Sequence, residues 1–68
     1  MGAGDSRIIF VDQAGTEIQE SIMPSIPRVG DHVDLYRVRV AGVVDQVTWQ
    51  VGDLNANSRV FVRLRPQS

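Results

Sequence analysis

The chain has 68 residues, no cysteine, one histidine and a formal net charge of −1. That length leaves no room for a second domain, and the lack of cysteine excludes disulfides and thiolate metal sites. A single histidine leaves too few ligands for a histidine-built zinc site, and the slight net acidity, with a sequence pI near 5.6, weighs against a strong nonspecific nucleic-acid binder.

The charge is unevenly spread. Residues 1–34 set Arg7 and Arg28 against Asp5, Asp12, Glu17, Glu20, Asp31 and Asp34, a net −4. Residues 35–68 set Arg37, Arg39, Arg59, Arg63 and Arg65 against Asp45 and Asp53, a net +3. All seven basic residues are arginine. A coding bias accounts for that, and so does a use for bidentate carboxylate or phosphate contacts. No apolar run approaches the roughly 20 residues of a membrane span. Residues 1–6 carry no apolar secretory region and read as a flexible tail ahead of one domain at 7–66. A cytoplasmic, reducing location with no membrane partner is the expectation.

In chain order, Arg7–Asp12 reads as a strand whose four successive apolar residues put side chains on both faces. Such a strand is covered on both sides or lies at a subunit interface. Asp12–Thr16 is a turn, opened by Asp and closed by Gly15 at positive φ. Thr16–Met23 reads as a second strand with Ile18, Glu20 and Ile22 on one face and a wet face of Glu17, Gln19 and Ser21. An amphipathic helix competes there, but the tight turn before it and Pro24 and Pro27 after it favour a hairpin.

Val29-Gly30-Asp31 turns the chain into a third strand, His32–Tyr36. Val33 and Leu35 share a face, but Val38 and Val40 continue the opposite parity. A slip of one residue requires a bulge or tight turn, placed at about Leu35–Arg37. Gly42, inside a valine-rich run, marks a bend or a close backbone approach. Val44 and Val47 are again out of phase, which places a bulge at Asp45-Gln46. Val47, Trp49 and Val51 then alternate with Thr48 and Gln50. Gly52–Ser58 is a loop. In the last strand, Arg59–Arg65, residues Val60, Val62 and Leu64 face in, while Phe61, Arg63 and Arg65 face out.

Five to six short, bent antiparallel strands without a helix describe an all-β SH3-like barrel, with an OB-like barrel as the alternative. Pro27-x-x-Gly30-Asp31-x-Val33, Val44-x-x-Val47-x-Trp49 and Val60-x-Val62-x-Leu64 together resemble a layout of short bacterial SH3-like barrel proteins. Such proteins are carried on phages, plasmids or integron cassettes. The resemblance covers residues 27–65 and implies an architecture, not a chemistry.

No catalytic, cofactor or metal site is expected. His32 lies beside Asp31 and Asp34, but a histidine so placed usually makes a turn hydrogen bond rather than serving a nucleophile. There is no glycine-rich phosphate loop. The candidate binding face is Tyr36, Arg37, Arg39, Trp49, Phe61, Arg63 and Arg65, where arginine and aromatic side chains share sheet faces. Ile9, Val11, Val43 and Phe61 exceed the needs of a single small core. The expected function is therefore a non-enzymatic binding or assembly module, homo-oligomeric through sheet edges or an apolar/arginine face, with another protein as a further possible partner. The alternatives are a weak single-stranded nucleic-acid binder and an oligomeric enzyme with an intersubunit site.

Overall fold

The structure, a computed structural model, describes residues 6–51 and 58–66. The expected N-terminal tail at 1–5 and most of the loop after Val51 lie outside those residues. Five strands follow in order: β1 (Ser6–Val11), β2 (Glu17–Met23), β3 (His32–Leu35), β4 (Val40–Gln50) and β5 (Arg59–Pro66). They form one sheet in the order β2-β1-β5-β4-β3, curled into a half-barrel, with no helix among the described residues.

The first hairpin is held by its turn. Asp12 Oδ1 accepts from the N–H groups of Ala14 and Thr16, both at 2.9 Å. Gly15 sits at φ 86°, a conformation that a Cβ disfavours. β2 then departs from its expected sidedness. Its register with β1 slips between Phe10 and Val11, and a bulge reverses strand parity. Ile18 packs against the core. Ile22 instead lies opposite Arg7, 69% exposed. Gln19 and Ser21, expected on a wet face, lie opposite Phe10 and Ile8, and Gln19 Nε2 donates to Ser21 Oγ at 2.9 Å.

β1 and β5 run parallel, so the sheet is not antiparallel throughout. A parallel pair needs a long crossover, which the whole of β2–β4 provides. Parallel neighbours usually sit where both faces are covered, and β1 is buried from Ile8 to Val11.

At the other end of the sheet, β3 and β4 meet through a turn at Tyr36–Arg39, where the parity slip lies. The Val38 N–H donates to the Leu35 carbonyl at 3.1 Å, and Arg39 takes φ 59°. A Cβ at Gly42 would lie 2.5 Å from the Arg65 carbonyl oxygen. Close backbone approach is therefore the reason for glycine there. The expected bulge falls between Val44 and Gln46, leaving Asp45 as the extra residue.

Ile8, Phe10, Leu35, Val44, Val60, Val62 and Leu64 form the core on the concave side. Ile18, Met23, Ile26, Val33 and Val47 close around it. Fully burying such a side chain contributes about 1.5–3 kcal/mol. Ile9 and Val11, on the opposite face of β1, are also buried within the single chain. They are not the surplus that their sequence position indicated.

Candidate functional site

The seven residues proposed as one binding face are distributed over three places. Phe61, Arg63 and Arg65 lie on the convex face of β5, across from Thr48, Gln46 and Val43. Trp49 lies opposite the buried Val60, so its side chain is on the concave side. Tyr36, Arg37 and Arg39 sit on the β3–β4 turn, all exposed. Parity within β5 and within the distal half of β4 was as expected. The turn at Tyr36–Arg39 and the bulge at Asp45 send the groups in different directions.

Of the two candidate arginines on the convex face of β5, Arg63 is committed to Asp45. Arg63 Nε donates to Asp45 Oδ1 at 2.8 Å, and Gln13 Nε2 donates to Asp45 Oδ2 at 2.8 Å. The Arg63 hydrogen bond, followed by that of Gln13, holds the Asp45 carboxyl below the usual aspartate range. Gln13 also reaches the Leu64 carbonyl at 3.3 Å. The β1–β2 turn thereby ties down the bulge. Arg7 pairs with Glu20 at 2.7 Å.

His32 is exposed at the start of β3. The turn hydrogen bond belongs to its neighbour: Asp31 Oδ2 accepts from the Arg28 N–H at 2.9 Å. Among the described residues, no three His, Cys, Asp or Glu side chains gather where they could hold a metal ion. No helix among the described residues is long and apolar enough to cross a membrane.

A different feature emerges along β4. β3 pairs only with Val40–Val43. One residue further on, Val44 donates to the Asp31 carbonyl and accepts from the Gly30 N–H, at 2.9 and 2.8 Å. Gly30, at φ 99°, then turns the chain away. From Gln46 to Gln50 no described strand pairs on that side.

Strand alternation says which groups face this gap. Val44 directs both backbone polar groups toward β3, Asp45 is the bulge residue, and Gln46 turns back to β5. Val47 and Trp49 therefore present N–H and C=O to the open edge.

The side chains beside this edge are apolar apart from Arg28. Trp49 is 58% exposed, Val51 74% and Val29 64%. A shallow groove of about 310 Å³ runs between the proline-stiffened loop and β4, lined by Ile26, Pro27, Arg28, Val29, Val47 and Trp49. From Gln46 to Val51 the chain carries no charge and no proline. The Val47/Trp49/Val51 alternation and the absence of charge were readable in the sequence. The shortness of β3, which leaves this edge open, was not.

Comparison with known proteins finds no matching family, no similar curated protein and no similar solved structure.

Proposed function

We propose that this protein is a non-enzymatic assembly module that self-associates by strand addition along the open edge of β4. The supporting observation is the run Gln46–Val51. It combines backbone groups at Val47 and Trp49 without a partner among the described residues, exposed apolar side chains on the same edge, and no charge within the run to repel a neighbouring strand. An open, uncharged, β-branched and aromatic edge is a template for pairing with another chain. The small core gives a second reason, since a domain of this size gains stability from further burial. Absence of cysteine fits a reducing, cytoplasmic setting for such a module.

Sedimentation velocity across a concentration series tests this reading. The expected result is a monomer–oligomer equilibrium that moves to monomer in Trp49→Lys. A wild-type protein that stays monomeric at millimolar concentration overturns it.

A further inference from the structure

We infer that the β4 edge takes a second copy of this chain, antiparallel, about a twofold axis through Thr48; this rests on the assembly reading above. The usable edge is bounded on both sides. The Asp45 bulge ends it at one end and the end of β4 at Gln50 closes it at the other. Five residues remain, Gln46–Gln50, and Thr48 is their midpoint. Two antiparallel copies that use all five have a single register: Gln46 against Gln50, Val47 against Trp49, and Thr48 against itself.

That register agrees with the backbone. Val47 and Trp49 carry the outward N–H and C=O groups, and in this register each faces the other's counterpart across the axis. They form hydrogen-bonded pairs, and Thr48 becomes the closer, non-hydrogen-bonded pair. The side chains agree as well. Val47 against Trp49 is a β-branched–aromatic pair, made twice on the concave side. Thr48 against Thr48 is a favourable pair on the convex side. Neither strand brings a charge to the contact. A register centred on Trp49 instead sets indole against indole and extends to Val51, beyond the end of β4.

The area is of the right order. Exposed Trp49, Val51 and Val29 present ~300 Å² of apolar surface, comparable to the largest patch of a typical monomer, which is often functional. The added strand and its rim bring this toward the roughly 800 Å² per partner of a standard interface. Self-complementarity also closes the assembly. An isologous β4–β4 contact ends at a dimer with a continuous ten-stranded sheet, whereas β4 against the β2 edge of another copy propagates without closing.

Cross-linking tests the axis, because the native chain has no cysteine. The Cα atoms of a non-hydrogen-bonded antiparallel pair are about 4.5 Å apart, within the roughly 4.4–6.8 Å that a disulfide spans. Under mild oxidation Thr48→Cys is expected to run mainly as a covalent dimer. Gln46→Cys and Gln50→Cys are each expected to stay uncross-linked alone and to cross-link when mixed. A charge swap gives an independent reading. Thr48→Lys is expected to weaken the dimer about tenfold or more, and mixing it with Thr48→Glu to restore association.

Cross-linking of Gln46→Cys alone as efficient as that of Thr48→Cys overturns the axis. So does an unchanged dimer in Thr48→Lys. In both cases the wild-type dimer persists and the assembly reading stands. A wild-type monomer removes that reading and the axis together.

Discussion

β2 and the distal half of β4 both leave a strand edge without a described partner, and they are built differently. β2 carries Glu17 and Glu20, sets Glu20 in an ion pair with Arg7, slips register through a bulge, and runs into Pro24. Each of these is a known way to keep an edge from pairing with another chain. The β4 edge from Gln46 to Val51 has none of them, and it is flanked by Trp49, Val51 and Val29. β2 even keeps an exposed apolar residue, Ile22, yet surrounds it with charge. Apolar exposure alone therefore does not single out an edge as adhesive. On the self-association proposed above, the absence of a guard does.

The largest effect expected removes both edges at once. Phe10 is buried in the core between β2 and β5. Phe10→Ala is expected to cost about 3–5 kcal/mol in urea unfolding, enough to unfold so small a domain. A cost under about 1 kcal/mol would mean that the two edges do not share one core. Next in size is an exchange of edge character. Glu17→Thr with Glu20→Val strips the charge from β2, and light scattering is expected to show species larger than the wild type. An unchanged size distribution would mean that charge is not what keeps β2 unpaired.

The smallest effect concerns the bulge that sets the phase of the β4 edge. The Asp45 carboxyl is held below the ordinary value of 3.8 by Arg63 and Gln13. A depressed carboxylate contributes stability that is present above its unfolded value and is lost as pH falls through its folded value. Wild type is expected to exceed Asp45→Asn slightly in stability at neutral pH, with the difference shrinking as pH drops below 3.8. A difference independent of pH would place the bulge's stability elsewhere.

Much of the chain's local geometry is legible from period-two patterning. The inward Val60, Val62 and Leu64, the turn after Leu35 and the bulge at Asp45 follow from which neighbours keep parity, and a bend or close approach at Gly42 follows from a glycine inside a valine-rich run. Strand parity is a property of the backbone itself, so sequence carries it. The β2 bulge was not legible. Ile18 and Ile22 keep parity on paper, and only pairing with β1 shows the slip between Phe10 and Val11. The seven candidate residues lie apart for a related reason. Phe61, Arg63 and Arg65 share a side of β5, but nothing local says that Trp49 lies across the sheet from them or that Tyr36 belongs to a turn.

By itself, then, the sequence determined a small all-β domain, its bends, and an uncharged Val47–Trp49–Val51 alternation. Local sterics and side-chain alternation act within a few residues and are encoded there. Tertiary structure decided that β1 lies parallel to β5, that Ile9 and Val11 are covered within one chain, and that β3 stops beside Val43. Those outcomes depend on which distant strands bury the most apolar surface together, and they leave the distal β4 edge without a described partner.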